Sequence, residues 1–217
     1  VQAPNALWRQ FRDLYRTNTE ADRAAEPKFT SSSWGGALII MVALVGILWA
    51  IQIVNYYDDQ QLNRFGLKPR EVDGLWGVIT QPFLHGDTRH MLNNTMPFVL
   101  IGWIVLLSGL RNFGIVTAGI VVLGGLATWL VAPSGVVVGA SGLVFGWLGY
   151  LLARAFFARK FTWILVAIAV LFFFGTLLSG LVPDFNSHVS WQSHLCGFLA
   201  GVAVAGALHS QRIARRG

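Results

Sequence analysis

The stretch Gly139-Ala140-Ser141-Gly142, followed by the apolar run 143–153, decides how the rest of the chain is read. A serine between glycines at the head of an apolar helix is a small nucleophile. It sits where main-chain N–H groups lack intrahelical partners and the helix dipole is positive. Small residues at such a place also serve plain close packing between membrane helices. Taken alone, the four residues favour packing. Two further clusters reverse that balance: His194 opens a later apolar helix, and His90 with Asn94 opens an earlier one.

The 217 residues are 54% hydrophobic and 12% charged, too apolar for an ordinary soluble domain, so an all-α polytopic membrane protein is expected. None of the ten acidic residues falls within a long apolar run. The excess of basic residues is explained by membrane topology, and no nucleic-acid partner is expected. The single cysteine, Cys196, allows neither an internal disulfide nor a thiolate cluster. Inside an apolar helix it is read as a small packed hydrophobe.

Residues 1–33 are polar, with Leu7, Trp8, Phe11, Leu14 and Tyr15 at helical spacing and arginines between them. That pattern predicts a short amphipathic helix, on the membrane surface or packed on the domain. Six uncharged runs follow: 34–54, 91–110, 112–132, 139–153, 161–182 and 190–208. At a rise of ~1.5 Å per residue the first can cross a hydrocarbon core of ~30 Å. It is too long, and preceded by too acidic a segment, for a cleaved signal peptide. The expected breaks are Arg111, the Pro133-Ser134-Gly135 turn, the Arg154/Arg159/Lys160 cluster and the loop 183–189. The long connection 55–88 interleaves aromatic and charged residues, as a loop packed at the interface would.

The organisation expected is therefore a segment 1–33, a six-helix membrane domain 34–209 and a basic tail 210–217. Twelve lysines and arginines fall on the side of both tails, against four (Arg64, Lys68, Arg70, Arg89) in the first loop. By the positive-inside rule both tails are cytoplasmic.

Counted from the cytoplasmic charges, Ser141, Asn94 and His194 lie roughly 20, 25 and 22 Å above that boundary. All three fall in the outer half of the bilayer. The fourth run is short because it is central. Gly142, Gly146 and Gly149 on it, and Gly197 and Gly201 on the sixth, provide small faces for close backbone approach. A Ser141 to His194 hydrogen bond requires such an approach.

Polar groups inside a bilayer are costly, so matched histidines and asparagine point to a functional site. His194 can take the Ser141 proton as general base and return it to a leaving amine. His90 and Asn94, four residues apart, share a helix face and with the Ser141 N–H can form an oxyanion hole. No carboxylate lies in the apolar runs to orient His194, so the arrangement is a dyad rather than a triad. Asn93 points about 100° away and is read as capping or packing. His188 and His209 are read as hydrated or satisfied helix ends. His85 either bonds loop backbone or supports the site from above.

At these residues the sequence resembles the rhomboid family of intramembrane serine proteases, over roughly 34–208. The motifs are His85-Gly-Asp-Thr-Arg-His90-Met-Leu-Asn-Asn94, Gly139-Ala-Ser141-Gly142 and His194-Leu-Cys-Gly197-Phe-Leu-Ala-Gly201. The resemblance implies a six-transmembrane-helix bundle with a short central fourth helix, in a bacterial plasma membrane. It implies Ser141 as nucleophile, His194 as base, and His90 and Asn94 as oxyanion donors. Substrates would be transmembrane segments of other membrane proteins, cut without metal or cofactor. Two positions depart from the family pattern: Trp76-Gly77 stands where a Trp-Arg pair is usual, and Phe145 where a tyrosine often stacks on the histidine.

The loop 181–192, with Phe185 and Trp191, and the run Phe172-Phe173-Phe174 are candidate gates. Because a substrate helix must unwind to expose its carbonyl, segments with Gly, Pro or Ser near the outer interface are expected to be favoured. The main rival is a non-catalytic rhomboid relative that binds membrane segments, against which the presence of both Ser141 and His194 counts. A channel would spread polar residues through the full thickness. A zinc protease would carry His-Glu-x-x-His, and an aspartyl protease an Asp within a span.

Overall fold

The computed structural model describes residues 31–158, 161–183 and 190–214. The surface helix expected around Leu7 to Tyr15, Phe185 and His188 lie outside the described residues. Among those described, six long helices carry the fold: α1 (Ser31–Tyr57), α2 (Thr88–Leu106), α3 (Leu110–Val131), α4 (Ser141–Ala158), α5 (Phe161–Phe174) and α6 (Trp191–Ala214). The segments Trp34–Tyr57, Leu110–Val131, Ser141–Ala158, Phe161–Leu181 and Trp191–Gln211 are long and apolar enough to cross a membrane. Helix α2 is as long as α4, but Arg89, His90, Asn93 and Asn94 in its first two turns dilute its apolar character.

The helices are apolar nearly all round, so inner faces are marked by shape and polarity rather than by greasiness. In α1 the buried stripe is Ala37, Met41, Leu48, Gln52 and Asn55, at helical spacing, while Ile39, Val42 and Ile53 face outward. Helix α4 is the centre: 61% of its membrane window is buried, against 6% for α5. Its partner is α6, and the seam between them is made of glycine. A Cβ on Gly197 would run into the Gly142 carbonyl oxygen, and one on Gly201 into that of Gly146. Only hydrogen at these positions lets the two backbones touch.

Two expected breaks move. Arg111 does not end a helix: α2 stops at Leu106, Gly109 turns the chain with φ +101°, and Arg111 lies in the first turn of α3. Glycine alone adopts that backbone without strain, so the break belongs to it rather than to the charge. Arg154 does not end the fourth helix either, which runs on to Ala158. The guanidinium is buried, donating to Tyr150 Oη at 2.7 Å and lying 3.7 Å over the Trp163 ring, and so need not leave the helix to find partners. Helix α4 is thus less short than expected. The fifth run is α-helical only to Phe174 and continues as a 3-10 helix over Gly175–Leu181.

The connection from α1 to α2 is an ordered scaffold. Asn55, at the end of α1, donates to Asn63 Oδ1 at 3.0 Å and accepts from Leu62 N at 3.0 Å. Leu67 and Val137 exchange main-chain hydrogen bonds of 3.0 and 2.8 Å, an isolated antiparallel bridge to the segment that leads into α4. Arg70 donates from Nη1 to the Ala132 carbonyl at 2.6 Å, closing the C-terminal end of α3, while Trp129 Nε1 donates back to the Glu71 carbonyl at 2.9 Å. Gly77 is packed so closely on Leu67 that a Cβ there would fall on its backbone. A side chain at 77 would require Leu67 to move in this structure, and Arg70 provides a guanidinium clamp between the loop and the bundle.

The glycine seam makes a sharp prediction. Gly201→Val, forced against the Gly146 carbonyl, should destabilise the protein by about 3 kcal/mol or more. Gly46→Ala, which meets nothing within 4 Å, should stay within about 0.5 kcal/mol of the parent. Thermal unfolding in detergent compares the two.

Candidate active site

Ser141 is the first residue of α4 and His194 lies in the first turn of α6. The glycine seam brings them together: Ser141 Oγ is 2.8 Å from His194 Nε2. The opposite ring nitrogen, Nδ1, is 3.0 Å from the carbonyl oxygen of Gly180 in the 3-10 continuation of α5. A carbonyl only accepts, so Nδ1 carries the hydrogen and Nε2 turns its lone pair toward the serine hydroxyl. Phe145, one turn beyond Ser141, stacks on the imidazole with centroids 4.2 Å apart and planes 18° from parallel. The hydrocarbon ring does the stacking, which needs no hydroxyl.

The second cluster reaches the same place from α2. Asp87 caps that helix, accepting from His90 N at 2.7 Å. His90 Nε2 is buried with no hydrogen-bond partner among the described residues. Gly139, at φ +125°, makes room for it: a Cβ there would lie 2.8 Å from His90 Nε2 and 3.6 Å from Ser141 Oγ. His90 and Ser141 therefore converge on one side of Gly139. Asn94 is buried, one turn further in; one of its amide hydrogens goes to the His90 carbonyl at 3.1 Å, leaving the other available. Asn93, read from sequence as capping or packing, is exposed, and the cap of α2 is Asp87.

Two participants were not singled out from sequence. Gly180 contributes only a main-chain oxygen, for which no side-chain signal exists. Gln81, buried in the first loop, accepts the Gly139 N–H at its carbonyl at 2.9 Å and so fixes the approach to Ser141. His85, of open role in the sequence, bonds through its ring to the main chain of the segment that leads into Ser141. Its carbonyl accepts from Asn63 Nδ2 at 3.1 Å, and its Nε2 accepts the Ala140 N–H at 3.4 Å. Its ring also meets that of His90 edge-on at 5.2 Å. Of the remaining readings, His209 is satisfied by stacking on Phe157, and Cys196 is buried. Phe172 and Phe173 point outward, 82% and 72% exposed, whereas Phe174 packs against the core.

Residues 72–211 match the Rhomboid domain family, a span that takes in His90, Asn94, Ser141 and His194. A Mycobacterium tuberculosis protein of uncharacterised function is 40% identical over 79% of this chain and 74% of its own length. A Bacillus subtilis protein, YdcA, whose name carries a provisional rhomboid protease assignment, is 29% identical over 74% of this chain and 82% of its own. RHOMBOID-like protein 1 of Arabidopsis thaliana is 31% identical over 58% of this chain and 33% of its own.

Burial, helped by the neighbouring His90 and opposed by Asp87, pulls His85 down to about 3 from an ordinary 6.5. Above pH 6.5 this ring is neutral whether the chain is folded or not. As pH falls below that value, the unfolded ring takes up a proton that the folded one refuses until about pH 3. Stability is lost across that window, by up to about 1.4 kcal/mol per pH unit. His85→Gln, which keeps an acceptor for Ala140 N–H, should flatten the fall in melting temperature between pH 6 and 4.

Proposed function

The chain belongs to the rhomboid family, and from that premise we propose that this multi-pass membrane protein is an intramembrane serine protease. It hydrolyses peptide bonds in or near transmembrane segments of other membrane proteins. The observation that carries the reading is the Ser141 Oγ to His194 Nε2 pair at 2.8 Å, with Nδ1 held on a carbonyl. This is the pairing of nucleophile and oriented base that acyl transfer requires. A protein that only bound membrane segments would have no need of it.

Ser141 Oγ gives its proton to His194 Nε2 as it attacks the scissile carbonyl carbon, and the displaced electron pair gathers on the carbonyl oxygen. The Ser141 N–H, the free Asn94 amide hydrogen and His90 Nε2–H are the donors for that oxyanion. Collapse expels the amine, which takes the proton from His194. A water then gives its proton to the same nitrogen, attacks the acyl-serine and restores the hydroxyl with release of the carboxylate.

Helix α2 is the sixth crossing, polar at one end because that end forms the oxyanion side of the site. The positive-inside count puts both tails in the cytoplasm, with 1–33 and 210–217 flanking the membrane domain 34–209. The site then opens toward the outer leaflet of a bacterial plasma membrane, in keeping with the mycobacterial relative. The exposure of Phe172 and Phe173 on α5 supports the reading that a substrate helix approaches on that side.

Purified protein should label with a fluorophosphonate and cleave a transmembrane reporter. Ser141→Ala and His194→Ala should abolish both activities, and Asn94→Ala should slow cleavage on the order of 10²-fold. Folded wild type that binds the reporter but neither labels nor cleaves it would instead establish a membrane-segment binder.

A further inference from the structure

Among the described residues the base of the dyad has no carboxylate behind it, and what holds it instead belongs to a different helix from either reacting residue. Three contacts with described residues define the His194 ring. Phe145 covers one face, Ser141 Oγ meets one edge, and the Gly180 carbonyl meets the other. Stacking leaves a ring free to turn in its own plane, and the serine hydroxyl can either give or take a hydrogen bond. Only the carbonyl is committed as an acceptor. It alone selects the tautomer in which Nε2 is a base.

Gly180 is built for close approach: a Cβ there would lie 2.9 Å from Phe145 Cζ and 3.1 Å from His194 Nδ1. The stretch that carries it, Gly175–Leu181, is a 3-10 helix, whose hydrogen bonds are poorer than those of an α-helix. It extends α5, the least buried of the membrane-length helices. The extension itself is seated by Leu177, Leu178 and Leu181 against the core.

We infer that Gly180 is the positioning residue of the proposed protease. Its carbonyl sets the tautomer and plane of His194, so that the base is competent only while the 3-10 extension of α5 is seated. This rests on the protease reading for its catalytic meaning. The bond between Gly180 and His194 does not.

The test weakens one acceptor without changing a side chain. Replacing Leu181 by its α-hydroxy analogue converts the Gly180–Leu181 amide to an ester and makes the Gly180 oxygen a poorer acceptor. The same replacement at Leu178, in the same 3-10 stretch, alters no group bonded to His194. Nitrogen-15 NMR of histidine-labelled full chain in detergent should find His194 of the unaltered protein with Nδ1 protonated. The 181 ester should give a mixture of tautomers, and the 178 ester should not.

In reporter cleavage the 181 ester should lower kcat about tenfold, the effect of losing one hydrogen bond. KM should be unchanged, and the 178 ester should stay within about twofold of the parent. An Nε2-protonated resting ring, or equal effects of the two esters, would overturn the assignment. Because the tautomer is read without turnover, a protein that labels and cleaves but carries the wrong tautomer refutes Gly180 alone. One with the expected tautomer that neither labels nor cleaves refutes the protease.

Discussion

Everything at the site depends on two helix backbones touching. Along α4 and α6 the glycines at 142, 146, 197 and 201 remove the side chains that would otherwise hold the axes apart, and carbonyl oxygens of one helix occupy the space where Cβ atoms of the other would be. Within lipid there is little hydrophobic drive to push helices together, so this shape match is what selects the pair. Ser141 and His194 lie at the end of that seam where both helices begin. Their separation of 2.8 Å is a consequence of the glycines in the two turns that follow them as much as of their own side chains.

The remaining order comes from the connection between α1 and α2, which does for the approach to α4 what the seam does for its body. The Leu67 to Val137 bridge, the Gln81 carbonyl on Gly139 N–H and His85 Nε2 on Ala140 N–H grip three of the five residues before Ser141. A serine at a helix start can act as an oriented nucleophile only if that start is itself fixed. Here it is fixed by the first loop.

Much of this was legible in the chain. Helix-forming apolar runs, the glycine spacing and the pairing of Ser141 with His194 and of His90 with Asn94 all follow from residue types at set intervals. Boundaries were misplaced where charge was taken as punctuation: Arg111 sits inside a helix because Gly109 makes the turn, and Arg154 because Tyr150 and Trp163 accommodate it. What the sequence could not express was the work of main-chain atoms. The Gly180 oxygen and the Gln81 carbonyl have no side-chain signature, and the Arg70 clamp rests on main-chain acceptors at the end of α3 that sequence does not display.

The manner in which that loop is fastened has a bearing on where such a protein can work. Its attachments to the bundle include main-chain bonds, the Asn55 amide, the neutral His85 ring, an indole N–H on a carbonyl, and a guanidinium on the neutral oxygens of Leu130 and Ala132. Among the described residues the loop's ion pair, Lys68 with Asp73 at 3.2 Å, is exposed and joins the loop only to itself. Screening by dissolved salt acts on pairs of charges and barely on a charge against a carbonyl dipole at contact. The clasp that steadies the nucleophile is therefore indifferent to ionic strength, and it can face an aqueous compartment whose salinity the cell does not regulate.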